Sequence, residues 1–276
     1  MRRLRPWQQA AVYAGATLVV VVTLFPLYYM LVSSVREPRA LFARPSLLPL
    51  PFTTEQYAQL FSLTNFPVYF RNSLLVAVAT ALLTSAVGCP MAYAIVRYRV
   101  WGAEMLIRLM LVAYMVPALL LAIPLFTLMV RLGLDDTLTS LVIAHLTITL
   151  PLAVWLMYGF FRTVPPSVEE AALVEGASRA QAFWHVAVPM AFPGVLTVTI
   201  FSFILSWTDY VYALVLTSSD GKKVVSLGLA AMYGAYDLRW GELMAGSAVI
   251  SIPMLVLFSL VTRHFIRGLT MGAVRG

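Results

Sequence analysis

Charged side chains are scarce in this sequence. Asp, Glu, Lys and Arg make up 11% of the 276 residues, whereas hydrophobic residues make up 61%. Soluble proteins usually carry about 25% charged residues and about 45–50% apolar residues. A soluble protein of this length could not cover its surface with so few charges. The composition therefore excludes an ordinary soluble protein and indicates a polytopic membrane protein.

Several kinds of chemistry lack the residues they need. A single cysteine, Cys89, excludes a disulfide framework. The only two lysines, Lys222 and Lys223, do not belong to a glycine-rich loop of the kind that holds nucleotide phosphates. The histidines have no metal-ligand spacing, and no nucleophile elbow or zinc-protease motif occurs. We therefore expect no catalytic residue, metal site or cofactor in this chain. Nucleic acid is not an expected partner either, because the basic residues lie between apolar runs.

Six apolar runs are long enough to cross a bilayer, which takes about 20 residues. They cover about residues 10–32, 73–96, 103–130, 137–161, 190–216 and 243–261. The first run follows a basic start, but it is longer than the apolar region of a signal peptide and has no cleavage site. We therefore expect an all-α protein in which residues 1–276 form a single domain of six transmembrane helices.

Lysine and arginine are distributed unevenly between the connections. If both termini are inside, eleven of the 19 basic residues lie on the inner side, where the segments are short, and eight lie on the outer side. Basic residues concentrate in cytoplasmic connections. We therefore expect both termini and residues 162–189 to be cytoplasmic, and residues 34–70 and 217–243 to lie outside.

The connection between the fourth and fifth runs carries helix punctuation. Capping-box pairs begin at Ser167 and Ser178, each followed three residues later by Glu or Gln. Between them, Gly176 occupies the place where a helix takes a left-handed C-terminal residue. The pattern predicts two short helices, 167–175 and 178–187, joined at a glycine.

The first of these helices presents small and acidic side chains on an otherwise basic side of the membrane. Small residues permit another backbone to approach closely, and the acids give the segment a distinct charge. Two interpretations remain open: the helices shorten a loop at the membrane surface, or they dock a soluble partner. The candidate docking residues are Glu169, Glu170, Ala171, Ala172, Glu175, Gly176 and Ala177.

Asp209 is the one carboxylate well inside an apolar run. It lies between Trp207 and Tyr210 in the fifth run. A carboxylate within the membrane is costly and indicates a functional site or a buried pair. Asp209 is therefore either a polar contact on a solute path, flanked by aromatic rings that suit sugar faces, or part of a hydrogen bond between helices.

Turn signals mark the connections expected outside. Asp135-Asp136 follows Gly133 and is expected to cap the fourth helix, and Asp220-Gly221 favours a tight hairpin turn. A surface helix is expected near Thr54–Leu63.

The stretch from Glu170 to Pro189 closely resembles the Glu-Ala-Ala loop of ABC-importer permease subunits. The family pattern has Glu-Ala-Ala, three residues, Gly, nine residues and then Ile-x-Leu-Pro, and the spacing here is the same. Val186 and Val188 stand where the family pattern has isoleucine and leucine, and Glu175 stands where aspartate is usual.

Other stretches are similar to the carbohydrate-importer branch of that family. They are Asn72-Ser73-Leu74, Ala92-Tyr93-Ala94, Trp207-Thr208-Asp209-Tyr210 and the tail from Gly268 to Gly276. The tail resembles that of the maltose-transporter-type smaller permease subunit. Thr208 departs from the asparagine usual in that branch.

The resemblance implies the type I ABC-importer permease fold in a prokaryotic inner or plasma membrane, surrounded by lipid. It implies that residues 162–189 form a coupling loop whose helices sit in a groove of an ATPase. The implied partners are a second homologous permease, two ATPase subunits that bind ATP and Mg²⁺, and an extracytoplasmic solute-binding protein. The implied solute is a sugar or oligosaccharide, and segment 217–243 would reach the binding protein.

Two other functions remain open. The solute could be glycerol phosphate, an amino acid or a peptide, since permeases for such solutes share the loop. A self-sufficient secondary transporter is the other alternative, but such proteins usually have more helices, internal repeats and a charged relay across the membrane.

Overall fold

The computed structural model describes residues 5–43, 46–98, 101–233 and 239–273. Throughout these ranges the regular elements are helices, and the only strand-like pairing among them is an isolated antiparallel bridge between Arg36 and Phe52. The helices are α1 Pro6–Ser34, α2 Pro38–Ala43, α3 Glu55–Leu63, α4 Phe66–Arg97, α5 Ala103–Tyr114, α6 Ala118–Arg131, α7 Leu138–Thr163, α8 Pro166–Val174, α9 Arg179–Ala182, α10 Val188–Met190, α11 Phe192–Thr208, α12 Val211–Leu216, α13 Val225–Tyr233 and α14 Trp240–Ala273.

Four helices are individually long and apolar enough to span a membrane. They are α1, α4, α7 and the first part of α14, Trp240–Ser259. Two pairs of helices pass the same test only when taken together, and each pair is sharply bent at a short break: Met105–Tyr114 with Ala118–Arg131 (98°), and Arg179–Met190 with Phe192–Thr208 (79°). If each bent pair is counted as one span, the number of candidate spans among the described residues is six, the number predicted.

The third predicted run is not one continuous helix. Residues 103–130 divide into α5 and α6, which meet at an angle of 98°. The division falls at Pro117, whose backbone is extended (φ −57°, ψ 133°). Proline has no N–H to donate and disfavours the helical conformation in the residue before it, so the helix ends before Pro117 and a new one begins after it.

The fifth predicted run, 190–216, is also divided. The membrane helix α11 begins at Phe192 and ends at Thr208, and Asp209 is extended (φ −65°, ψ 133°). Asp209 therefore does not lie within a helix, as the sequence suggested, but in a break before the short helix α12. Its carboxylate replaces the missing helical bonds, as described below.

The chain forms two compact units, Met1–Phe66 with Leu229–Ile252 and Pro67–Gly228 with Pro253–Gly276. In the first unit, α3 confirms the surface helix expected near Thr54–Leu63. Its buried Gln56 donates a hydrogen bond to the Arg36 carbonyl oxygen, and its Tyr57 hydroxyl lies 2.7 Å from the hydroxyl of Ser34 at the end of α1. Helix α3 is thus tied to the end of α1.

The second unit contains the elements predicted to carry function. Polar pairs cross its apolar interior: the hydroxyls of Thr84 and Thr149 lie 2.7 Å apart, and so do those of Ser85 and Thr199. A Cβ atom at Gly194 would lie 2.4 Å from the Phe160 ring, so α11 crosses α7 at a distance that only glycine permits there. These contacts hold α4, α7 and α11 together.

The predicted hairpin at Asp220-Gly221 is wrong in form. Residues Asp220–Lys222 make one turn of 3₁₀ helix between α12 and α13, and no strands flank it. The Tyr69 hydroxyl donates to the Asp220 carboxylate at 2.7 Å, and the Asn72 amide donates to the Gly221 carbonyl oxygen at 2.9 Å. The turn is therefore held against the start of α4.

Asp136 does not cap α7, because Thr137 takes that position and accepts a hydrogen bond from the Ser140 N–H at 3.2 Å. The Asp136 carboxylate instead accepts from the backbone N–H groups of Ser218 (2.9 Å) and Ser219 (3.0 Å), and from the Ser219 hydroxyl. Asp136 thus connects the α6–α7 turn to the segment after α12.

These bonds predict a pH dependence. The Ser219 hydroxyl and the two backbone N–H groups lower the pKa of Asp136, because they stabilise its ionised form. A group whose pKa is lower in the folded state stabilises the fold at pH values above its unfolded-state pKa of about 3.9. This stabilisation is lost as the pH falls through the folded-state pKa.

We expect Asp136→Asn to lower the melting temperature at pH 7 and to have little effect in strong acid. Asparagine suits the positive φ of 53° at this position, so backbone strain does not confuse the comparison. Thermal unfolding in detergent across this pH range tests the prediction, and a difference that persists at the acid end contradicts it.

Candidate functional site

Helix α8 begins earlier than predicted, at Pro166. Pro165 is extended and Pro166 occupies the first helical position, where proline's fixed φ suits a helix and its missing N–H costs nothing. Ser167 is already helical and cannot act as an N-cap, so the predicted capping box from Ser167 to Glu170 is wrong. The prolines start the helix in its place.

The end of α8 is as predicted. Gly176 has a φ of +94°, the left-handed conformation. The Gly176 N–H donates to the Leu173 carbonyl oxygen at 3.1 Å, and the Ala177 N–H donates to the Ala172 carbonyl oxygen at 3.0 Å. These bonds satisfy carbonyl groups that would otherwise be free at the helix end.

The second capping box is confirmed. The Gln181 N–H donates to the Ser178 hydroxyl at 3.3 Å, and the Ser178 N–H donates to the Gln181 side-chain oxygen at 2.8 Å. The helix that begins here is longer than the predicted 178–187, since α9 continues through a π-helical turn, Phe183–Ala187, into α10. Buried Phe183 and Ala187 attach that turn to the core.

Glu169 is buried, although the sequence placed it on a docking surface. Its Oε1 lies 2.6 Å from Arg97 Nη2 and 2.9 Å from Arg97 Nε, and its Oε2 accepts from the Tyr93 hydroxyl at 2.7 Å. Arg97 also donates to the Val164 carbonyl oxygen at 2.8 Å. Glu169 therefore fastens α8 to the end of α4.

The remaining predicted contact residues lie at the surface. Glu170, Ala171, Glu175 and Gly176 are exposed, and Ala172 and Ala177 are half-buried. Between them the helix exposes apolar side chains that the sequence reasoning missed. These are Val168, Leu173 and Val174, of which Val174 is 88% exposed. The sequence shows these apolar residues beside acidic ones but gives no sign of which side chains face outward.

Both Asp209 carboxylate oxygens have partners. Oδ1 accepts from the Tyr212 N–H at 3.4 Å, and Oδ2 accepts from the Ala213 N–H at 3.2 Å, so Asp209 caps the start of α12. Oδ2 also lies 3.3 Å from His145 Nε2, and the other ring nitrogen of His145 lies 2.8 Å from the Ser206 hydroxyl. No pattern in the sequence indicates that His145, on α7, lies beside Asp209.

The aromatic neighbours of Asp209 differ in exposure. Trp207 is 2% exposed and stacks on Phe203, with ring centroids 5.5 Å apart. Phe70 meets the Trp207 ring edge-on, also at 5.5 Å. Tyr210 is 40% exposed. Of the two aromatic residues predicted for a solute path, only Tyr210 exposes its ring in this conformation.

These features define a multi-pass helical membrane protein, and the described residues contain no cluster of side chains that could hold a metal ion. The chain belongs to the family described as the inner membrane component of binding-protein-dependent transport systems, whose model matches residues 84–271. It is therefore an ABC-importer permease subunit, a multi-pass membrane protein that works with a binding protein.

Individual relatives agree with this assignment. The chain is 36% identical to the inner membrane ABC transporter permease protein YcjP of Escherichia coli, over 96% of this chain and 95% of that protein. It is 34% identical to the trehalose transport system permease protein SugB of Mycobacterium tuberculosis, over 94% and 95%. Its fold is similar to a chain of a bacterial ABC transporter that imports the acidic polysaccharide alginate, with a TM-score of 0.83, 21% identity and coverage of 96% and 100%.

Proposed function

We propose that this chain is the permease subunit of an ATP-driven importer for a sugar or oligosaccharide. The observation that carries the coupling part of the proposal is the geometry of α8: a short helix, fixed at both ends, that exposes Val168, Leu173 and Val174. An exposed apolar patch on a rigid element is typical of a protein interface. Relatives named for trehalose transport support a sugar as the solute.

The partner that meets this patch is an ATPase subunit, since this chain has no phosphate-binding loop of its own. ATP and Mg²⁺ belong to two such subunits. In this arrangement residues 162–189 lie in the cytoplasm together with both termini, in agreement with the distribution of basic residues.

A second homologous permease completes the membrane part. Within the first compact unit, α1 buries none of its most apolar 18-residue window. Apolar side chains such as Leu18, Val19 and Val22 are exposed along it. A helix of this kind is covered in the complex by lipid and by the partner permease.

Uptake by the reconstituted complex tests the solute. The permease, its ATPase subunits and its binding protein are placed in proteoliposomes and offered labelled trehalose, maltose, glycerol phosphate or an amino acid. We expect ATP-dependent uptake of a sugar. Uptake of glycerol phosphate, an amino acid or a peptide alone would establish the non-sugar alternative, and uptake without ATP would indicate a secondary transporter.

A further inference from the structure

Three side chains form a buried polar joint between α8 and α4. Glu169 is 5% exposed, and its two oxygens are occupied by Arg97 and by the Tyr93 hydroxyl. Tyr93 and Arg97 are one helical turn apart on α4, so they present their polar groups on one face. We call these residues the α4–α8 joint.

Because Glu169 is committed to the joint, it is not available to a soluble partner. Val168 and Leu173, each 40% exposed, flank Glu169 on the helix, whereas Val174 is 88% exposed and lies on a side of the helix turned away from the joint. Helix α8 thus has two separate contacts: an exposed apolar one and a buried ionic one. A helix with these two contacts can receive a displacement on one side and deliver it on the other.

The joint reaches beyond α4. The Tyr93 ring lies 4.7 Å from the Phe183 ring in the π-helical turn and 5.5 Å from the Phe161 ring at the end of α7, measured between centroids. Arg97 also binds the Val164 carbonyl oxygen in the segment that leads from α7 to α8. A movement of α8 therefore acts on α4, on the end of α7 and on the turn that leads to α11.

We propose that the α4–α8 joint transmits movement of the ATPase-bound helix α8 to α4, and that Glu169, Arg97 and Tyr93 are positioning residues for transport. The inference rests on the proposed ATPase contact of α8 and adds the route by which the movement reaches the membrane. Charge is needed at this place because a hydrogen-bonded ion pair fixes the direction of the contact, whereas apolar side chains can slide past one another.

The test measures sugar uptake and ATP hydrolysis in the same reconstituted complex. In Glu169→Gln we expect the ATPase subunits to co-purify as in wild type and ATP to be hydrolysed, while uptake per ATP falls at least tenfold. Tyr93→Phe removes one hydroxyl and is expected to lower uptake per ATP about two- to fivefold. Glu55→Gln, an exposed acid on α3, serves as the matched control and should leave the ratio unchanged.

A double variant separates a joint from two independent residues. Once one charge of a buried pair is gone, removal of the other costs little more. We therefore expect Glu169→Gln combined with Arg97→Gln to be no worse than Glu169→Gln alone. The proposal would be overturned if the double variant lost uptake per ATP by the product of the two single-variant losses. It would also be overturned if uptake per ATP were unchanged in Tyr93→Phe and Glu169→Gln.

Two other outcomes distinguish failure of the joint from failure of the proposed solute. Loss of the ATPase subunits from Glu169→Gln would make Glu169 a docking contact and overturn the inference. If wild type took up a non-sugar solute, the proposed solute would fail, but the ratio of uptake to hydrolysis would still test the joint with that solute.

Discussion

Replacement of Gly176 with valine is expected to abolish ATP-driven uptake while the protein still inserts into the membrane. Gly176 has a φ of +94°, and a left-handed conformation costs an ordinary residue about 1–2 kcal/mol, with a β-branched residue a particular outlier. A Cβ atom at this position would meet no neighbour within 4 Å. The expected effect is therefore conformational: α8 would end differently, and its exposed patch would be displaced.

The open space around Gly176 allows a matched control. Asparagine tolerates the left-handed conformation better than other side chains do. We therefore expect Gly176→Asn to keep a large part of the uptake, Gly176→Ala to keep less, and Gly176→Val to show none, with equal amounts of each in the membrane. Equal activity of the asparagine and valine variants would show that backbone conformation at this position is not what coupling requires.

Replacement of Asp209 with alanine is expected to lower stability strongly. The change removes the acceptor for two backbone N–H groups of α12 and the partner of His145. Loss of a helix cap typically costs about 1 kcal/mol, and a buried polar group left without its partner costs about 1–3 kcal/mol. We expect a clear fall in the melting temperature of the purified complex and a loss of uptake with it.

Asp209→Asn distinguishes the two functions proposed for this residue. Asparagine keeps one side-chain oxygen for the cap of α12, so a structural role predicts a smaller fall in melting temperature and a nearly unchanged apparent KM for the solute. A role on the solute path predicts the opposite: an unchanged melting temperature and an apparent KM raised about tenfold or more. The geometry favours the structural role, because both oxygens of Asp209 are already engaged within the protein.

Local patterns in the sequence were sufficient for much of the coupling loop. Gly176 and the capping box of Ser178 lie where spacing predicted them, since a left-handed glycine and a capping pair depend only on residues within one helical turn. The family resemblance, carried by the spacing from Glu170 to Pro189, was confirmed by the family model and by relatives that cover nearly the whole chain.

Contacts between distant residues could not be predicted in this way. Arg97 and Glu169 are 72 positions apart, and hydropathy along the chain gives no sign that one helix end meets the other. The same holds for His145 beside Asp209. Apolar runs also concealed two breaks, at Pro117 and at Asp209, because hydropathy averages over a window and does not register one residue that ends a helix.

Site-directed cross-linking tests the central claim, that the exposed patch of α8 lies against an ATPase subunit. Cys89, the single cysteine, is first replaced by serine, and a cysteine is then placed at Val174 or, as a control, at Leu63, which is exposed on α3 in the segment expected outside. We expect a short bifunctional reagent to join position 174 to the ATPase in the transport-competent complex and to leave position 63 unlinked to it. Absence of a cross-link from position 174 in a complex that hydrolyses ATP and imports its solute would contradict the claim.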